Sequence, residues 1–173
     1  LGIEDDHSYT IEGLLAENCY LEPWHCDIES FIELRKNQGA DENRARDIFL
    51  ALWVSDYFME CVKHDKDWHL MSEDMCPGLS DTWGPSHTAL YTKYIEEGKF
   101  IKVIKARDLW RRILIAQSET GMPYISFKDT MNKGCTQSNL GTLKSSNLCH
   151  EITLVSDSNN IQVCVLASIS LSH

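Results

Sequence analysis

Three side chains that can do chemistry occupy alternate positions late in the sequence: Asn147, Cys149 and Glu151. If this segment is extended, as we expect, the three side chains lie on one face and span about 7 Å, with Leu148 and His150 on the other face. The amide can hold a substrate hydroxyl, the carboxylate can act as a general base, and the thiol can attack or carry a radical. Spacing alone favours a plainer interpretation, an edge strand whose polar face is hydrated.

A second thiol, Cys164, follows in a segment whose apolar residues alternate from Ile161 to Ile169. The polar residues 156–160 predict a turn, and two strands joined by such a turn would bring Cys149 and Cys164 close together. The alternative is a buried strand cysteine without a chemical role, which spacing alone favours.

Other candidate sites are weaker. His25-Cys26 and Cys61-x-x-His64 are half-sites without a second pair at zinc-finger spacing, so no metal site is expected. Cys149 and His150 do not form a protease-like dyad if alternation sends their side chains to opposite faces. The sequence also lacks a P-loop and a GxGxxG motif, so no phosphate-binding loop is expected.

The elements that must position these residues alternate between helices and strands, which predicts an α/β fold. The clearest helix is amphipathic, begins near Ala106 and stops at Gly121. A long helix is expected over residues 42–62, because the run from Ile48 to Val54 is apolar on all sides. Shorter helices are expected over 27–34 and 87–98, turns over 76–79 and 83–85, strands over 20–23, 67–71 and 124–127, and extended chain over 141–152 and 161–169.

The composition excludes several classes of function. Sixteen basic against 26 acidic residues give a net charge of −10, which disfavours binding to DNA or RNA. No apolar run is long enough to span a membrane, and the first residues do not resemble a signal peptide. Seven cysteines at irregular spacing, without a CxxC pair, are typical of a reducing compartment, so a cytoplasmic protein is expected.

Read together, the motifs resemble a known family, the large subunit of class I ribonucleoside-diphosphate reductase, over about residues 19–171. The motifs that carry the resemblance follow in order: Tyr20-Leu21-Glu22-Pro23-Trp24-His25, Asn43-Arg44-Ala45-Arg46-Asp47, Ala51-Leu52-Trp53, Asp67-Trp68, Cys76-Pro77-Gly78-Leu79, Glu119-Thr120-Gly121, Pro123-Tyr124, Asn139-Leu140-Gly141-Thr142, Ser146-Asn147-Leu148-Cys149 and Leu166-Ala167-Ser168.

The resemblance implies part of a ten-stranded α/β barrel with a cysteine on a central finger loop. It implies that Cys149 is the thiyl radical that abstracts the 3′ hydrogen of a ribonucleotide. Glu151 is then the general base on the 3′ hydroxyl, and Asn147 hydrogen-bonds the substrate. Cys164 is then one member of the redox-active dithiol that reduces the 2′ position.

The resemblance also implies partners. The substrate is a ribonucleoside diphosphate, and the radical comes from a metal-containing small subunit rather than from a cofactor bound here. Thioredoxin or glutaredoxin restores the dithiol, the large subunit forms a homodimer, and ATP or deoxynucleotides act as effectors.

Residues 1–18 depart from the family pattern, because the segment before Tyr20 lacks its basic, glycine-rich sequence, and Val165 stands where the family usually has Asn. We therefore divide the chain into a divergent segment, 1–18, and a partial barrel domain, 19–173. The alternative to an enzyme is a truncated or degenerate homologue that acts as an interaction module or has no activity. The chain does not begin with Met, so a fragment or a processed product is expected.

Overall fold

The computed structural model describes residues 9–11, 14–16, 18–157 and 159–171, with side chains from residue 19 onward. Its elements are β1 (Tyr9–Ile11), β2 (Leu14–Ala16), β3 (Asn18–Leu21), α1 (Ile28–Phe31), a 3-10 turn (Asp41–Asn43), β4 (Phe49–Val54), α2 (Asp56–Lys63), β5 (Asp67–Leu70), α3 (Gly84–Glu96), β6 (Lys102–Lys105), α4 (Ala106–Thr120), β7 (Tyr124–Phe127) and α5 (Lys128–Lys133).

A parallel three-stranded sheet organises the chain, with β4 between β3 and β7. Two antiparallel pairs, β1–β2 and β5–β6, stand apart from it. The order of elements is the mixed α/β arrangement predicted from the sequence. No helix among the described residues is long and apolar enough to cross a membrane.

The two faces of the parallel sheet are covered by different layers, because successive strand side chains point to opposite faces. Leu50, Leu52 and Val54 of β4 pack into the main core, which α2, α3 and α4 share. Trp53 faces the other way and packs with Cys135 and Leu143. Tyr20 packs against this second cluster. The second face therefore carries the irregular segment that follows α5.

The predicted long helix over 42–62 is wrong. The apolar run is strand β4, and helix α2 begins only at Asp56, where the Ser55 hydroxyl accepts the backbone N–H of Phe58. A central strand of a parallel sheet is buried on both faces and so reads as a continuous apolar run, which periodicity cannot distinguish from a buried helix.

Three predictions are confirmed closely: β5, β7 and α4. Helix α4 ends before Gly121, whose backbone has a left-handed conformation with φ 76°. Helix α1 is shorter than predicted, and Asp27 makes no side-chain cap. Helix α3 begins at Gly84, because the predicted Trp83-Gly84-Pro85 turn is its first turn, with Pro85 at a position that suits proline.

Extended chain was predicted over 141–152 and 161–169, but the described residues there form no strand and are irregular. Alternation marks residues that fit a pleated surface, but a strand also needs a neighbour to pair with. Within the described ranges nothing pairs with 161–169, whose apolar side chains remain exposed: Ile161, Val163, Val165, Leu166 and Ile169.

Candidate active site around Cys149

Cys149 lies in a closed turn rather than in an extended strand. His150 has φ 66°, a left-handed conformation that histidine adopts more readily than most residues. Its N–H donates to the Asn147 carbonyl over 3.3 Å. Ser146 Oγ donates to the Ile152 carbonyl over 2.7 Å and closes the turn at its base. The predicted alternation of faces is therefore wrong here, because the backbone reverses direction at His150.

The turn still brings the predicted side chains together. Asn147 Nδ2 donates to Glu151 Oε1 over 2.6 Å. Cys164 Sγ donates to the same oxygen over 3.6 Å, although no hairpin joins the two segments. Asn147, Glu151 and Cys164 thus form one hydrogen-bonded group, and Cys149 is close enough to act electrostatically on the Cys164 thiol.

The protonation states suit acid–base and thiol chemistry. Hydrogen bonds from the Glu151 backbone N–H and from the Asn147 side-chain amide lower the pKa of Glu151. This side chain is therefore a carboxylate at neutral pH. Partial desolvation and then the contact with Glu151 raise the pKa of Cys164, so its sulfur keeps its proton. Glu151 is therefore a proton acceptor beside the protonated thiol of Cys164.

Cys149 borders a cavity of about 650 Å³. The residues that line it come from α4, β7 and the turn: Gln117, Tyr124, Ile125, Leu148, Cys149 and His150. Leu148 and His150 therefore share this cavity with Cys149 instead of pointing away from it. Cys149 and Cys164 are the two exposed cysteines among the seven.

Aromatic and hydroxyl groups from the sheet hold the turn in place. Tyr20 of β3 donates its hydroxyl to the Asn147 carbonyl over 2.7 Å, and burial raises the pKa of Tyr20 to about 12. A hydrogen bond joins Ser126 of β7 to His150 Nδ1. The His150 ring lies 5.4 Å from that of Tyr20 and 5.1 Å from that of Tyr124 between centroids.

Sequence reasoning missed these supporting residues. Tyr20 lies 127 positions from Asn147, and Ser126 lies 24 positions from His150, so no local pattern links them. The one available signal is register: Tyr20 and Tyr124 both align with Ala51 across the parallel sheet, which places them in one row.

The segment that leads into the turn is anchored to the core. Trp53 Nε1 donates to the Leu143 carbonyl over 3.2 Å. The Asn132 side chain donates to the same carbonyl over 3.1 Å and accepts the Leu143 N–H over 2.7 Å. These contacts fix the chain at Leu143, four residues before Asn147, and so limit how far the turn can move.

One group of metal-ligand side chains occurs among the described residues: His25, Cys26 and Asp27, whose ligand atoms lie within 4.8 Å of one another. The sequence prediction treated His25-Cys26 as half a site. His25 Nδ1 already accepts the Asp27 N–H over 3.1 Å, so a cation would have to displace that hydrogen bond.

Comparisons with known proteins agree on a family. The model of the family described as ribonucleotide reductase, barrel domain, matches residues 15–173. The chain is 55% identical over 154 residues to the ribonucleoside-diphosphate reductase large subunit of Caenorhabditis elegans, covering 89% of this chain and 20% of that protein. It is 51% identical over 160 residues to the large subunit of vaccinia virus (strain Copenhagen), covering 92% and 20%.

The large subunit of Arabidopsis thaliana is 53% identical over 152 residues, which cover 88% of this chain and 19% of that protein. The chain thus spans about a fifth of the length of these curated relatives. The family model covers most of the chain, including the parallel sheet and the Cys149 turn. The chain belongs to the ribonucleotide reductase barrel-domain family.

Proposed function

We propose that this chain forms part of the catalytic barrel of a ribonucleoside-diphosphate reductase large subunit and carries its radical cysteine, Cys149. The observation that supports this most is the Cys149 turn itself. A thiol on a cavity wall adjoins an ionised carboxylate that an amide and a second thiol both contact. This chemistry matches what radical reduction of a ribonucleotide requires.

In the proposed reaction, a thiyl radical at Cys149 takes the hydrogen atom from the 3′ carbon, which forms S–H and leaves the radical on the sugar. Glu151 accepts the 3′ hydroxyl proton, a role that suits a carboxyl group with a lowered pKa. The Asn147 amide, which contacts Glu151 without substrate, donates to the substrate instead. A substrate hydroxyl would enter between these two side chains.

Reduction at the 2′ carbon releases the hydroxyl as water and takes two electrons and two hydrogens from a dithiol, which becomes a disulfide. Cys149 then returns its hydrogen atom to the 3′ carbon, which completes the product and regenerates the thiyl radical. Cys164 supplies one of these thiols, and its raised pKa keeps the hydrogen on sulfur until it is needed. We assign no residue of this chain to the second thiol. The radical comes from a metal-containing small subunit, and thioredoxin or glutaredoxin restores the dithiol.

The fold proposal follows from the same family. The three parallel strands β3, β4 and β7 form part of one half of a ten-stranded barrel, and the Cys149 turn is its finger loop. Residues 161–169 form a strand in the complete barrel, which would cover the apolar side chains that are exposed here. ATP or deoxynucleotide effectors and a homodimer belong to the complete protein. No observation favours the non-enzymatic alternative.

Nucleotide protection of Cys149 tests the binding part of this proposal. The polypeptide that carries this chain is treated with iodoacetamide, and the rate at which Cys149 is modified is followed by mass spectrometry. A ribonucleoside diphosphate should slow the modification several-fold, and a 3′-deoxy analogue should protect much less.

Glu151→Gln should reduce the difference between the two nucleotides, because its neutral amide oxygen is a weaker acceptor of the 3′ hydroxyl than a carboxylate. Glu119→Gln, the same change at an exposed position, should leave it intact. Equal modification rates with and without the ribonucleoside diphosphate would contradict the proposal.

A further inference from the structure

Of the ionisable side chains in the Cys149 turn, His150 is the one to which the proposed chemistry gives no role. Two strands of the parallel sheet hold its ring. A hydrogen bond joins Nδ1 to the hydroxyl of Ser126 in β7. The rings of Tyr20 in β3 and Tyr124 in β7 pack against it, with centroids 5.4 Å and 5.1 Å away. The ring is therefore clamped between the turn and the sheet.

The clamped ring supports a turn whose backbone is unusual. His150 has φ 66°, in the left-handed region that residues with a side chain adopt infrequently. The chain reverses there, and the reversal returns Glu151 to Asn147, whose amide donates to the carboxylate over 2.6 Å. The N–H groups of His150 and Ile152 donate to the carbonyl and the side-chain oxygen of Asn147, each over 3.3 Å. These contacts set the position of Cys149, which directly precedes the reversal, and they depend on the ring staying in place.

The clamped ring is a poor place for a second proton. Its Nε2 is buried and has no hydrogen-bond partner among the described residues. In the protonated ring both nitrogens carry hydrogen, so a charged N–H at Nε2 would reach neither water nor a protein acceptor. Desolvation accordingly lowers the pKa of His150, and the opposing attraction of the Glu151 carboxylate is the smaller effect. A ring that moves out into water regains the ordinary histidine pKa of about 6.5.

The position of the ring is therefore linked to pH. The ionisable groups close to it among the described residues are Tyr20 of β3, Tyr124 of β7, and Cys149 and Glu151 of the turn. None of them lies within hydrogen-bond distance of His150 Nε2. The clamped state binds a proton less tightly than the released state. The clamp is consequently most stable above the ordinary histidine pKa and weakens as the pH falls through it.

We propose that His150 is a positioning residue for Cys149 and Glu151. Its neutral ring, clamped by the two tyrosines and the serine, holds the turn closed, and protonation of the ring releases the turn. The proposal rests on the proposed function only for the chemical roles of Cys149 and Glu151. The coupling between ring, turn and pH is a property of the folded chain, so it is measured without substrate.

Hydrogen exchange of the amides that close the turn tests the proposal on the polypeptide that carries this chain. Protection of the His150 and Ile152 N–H groups is measured by mass spectrometry relative to a synthetic peptide of the same segment, which corrects for the intrinsic effect of pH. This protection should fall at least about threefold between about pH 7.5 and pH 5.5, since uptake of one proton shifts the equilibrium by up to tenfold per pH unit. Amides of the buried strand β4 should stay protected, which excludes general unfolding. Protection of the turn that does not change with pH would overturn the proposal.

Variants separate the titration of the ring from its support of the turn. His150→Asn should keep the turn protected at both pH values, because asparagine tolerates a left-handed backbone, can hydrogen-bond to Ser126 and does not titrate. His150→Ala should leave the turn poorly protected at both. His64→Asn, the same change at an exposed histidine that ends α2, should retain the fall in protection at acid pH. A fall that persists in His150→Asn, or normal protection in His150→Ala, would refute the proposal.

No nucleotide and no radical takes part in this experiment. A failure of nucleotides to protect Cys149 would contradict the proposed function and leave the His150 clamp intact. Constant protection of the turn amides would contradict the clamp and leave the proposed function intact.

Discussion

Lys128 makes the most buried ion pair among the described residues. Its removal should lower the free energy of unfolding by a large, pH-dependent amount. Its side chain is fully buried, and Nζ lies 2.8 Å and 3.0 Å from the two carboxylate oxygens of Glu22. It also donates to the Leu79 carbonyl over 3.3 Å and the Ser80 carbonyl over 3.4 Å. The pair therefore connects the ends of β3 and β7 to the loop before α3.

Lys128→Met keeps most of the side-chain volume and removes the charge. Glu22 is then left buried, with the Trp24 Nε1 donor at 2.9 Å as its remaining hydrogen-bond partner among the described residues. Removing one member of a buried pair costs about 3–5 kcal/mol of unfolding free energy. The double variant Glu22→Gln/Lys128→Met leaves no buried charge, so its loss should be smaller, about 1–2 kcal/mol.

The pH dependence follows from Glu22. Burial raises the pKa of Glu22 above its ordinary value, although Lys128 acts in the opposite direction. Without Lys128 that pKa should rise further. A carboxyl group whose pKa is higher in the folded state favours folding when it is protonated. The unfolding free energy lost in Lys128→Met should therefore be largest above the folded-state pKa of Glu22. The loss should shrink as the pH falls towards the ordinary pKa of a glutamate side chain.

Urea unfolding at neutral and mildly acidic pH measures these differences. Lys133→Met, an exposed lysine of the same helix, is the control and should change the unfolding free energy by no more than about 0.5 kcal/mol. Equal losses in the single and double variants, or a loss that does not change with pH, would refute the reasoning from a buried unpaired carboxylate.

Three further predictions concern local contacts. Ser55→Ala removes the hydroxyl that caps α2 and should cost about 1 kcal/mol in urea unfolding, whereas Ser118→Ala on the exposed face of α4 should cost little. Gly121→Ala places a Cβ at φ 76° and should also cost about 1 kcal/mol, and an unchanged midpoint would argue against the left-handed end of α4. Asn147→Ala removes a donor to the Glu151 carboxylate, so the pKa of Glu151 should rise towards its ordinary value in a carbon-detected NMR titration; no change would show that the contact is absent in solution.

The sequence predicted those helices and strands whose hydrophobic pattern is typical of only one kind of secondary structure. Helix α4 has a clear apolar stripe and a glycine stop, and β7 follows directly after Pro123. The β4 run was misassigned, because complete burial removes the alternation that distinguishes a strand from a helix. Residues 161–169 show the opposite case, since they alternate clearly but have no neighbouring strand among the described residues.

For the site, the sequence supplied residue types but not geometry. Asn147, Glu151 and Cys164 meet, yet they do so through a turn at His150 and not through a flat strand. The supports at Tyr20 and Ser126 are distant in sequence, so local spacing could not reveal them. The catalytic roles of Asn147, Cys149, Glu151 and Cys164, and the division at residue 18, remain predictions.

Nucleotide reduction by a Cys149→Ser variant tests the central claim most directly. The complete polypeptide that carries this chain is assayed with its small subunit and a dithiol reductant, and deoxyribonucleotide formation is measured. Cys149→Ser should abolish the product, because a hydroxyl does not readily form the radical, while Cys26→Ser, a change outside the turn, should retain activity. Undiminished product from Cys149→Ser would contradict the account.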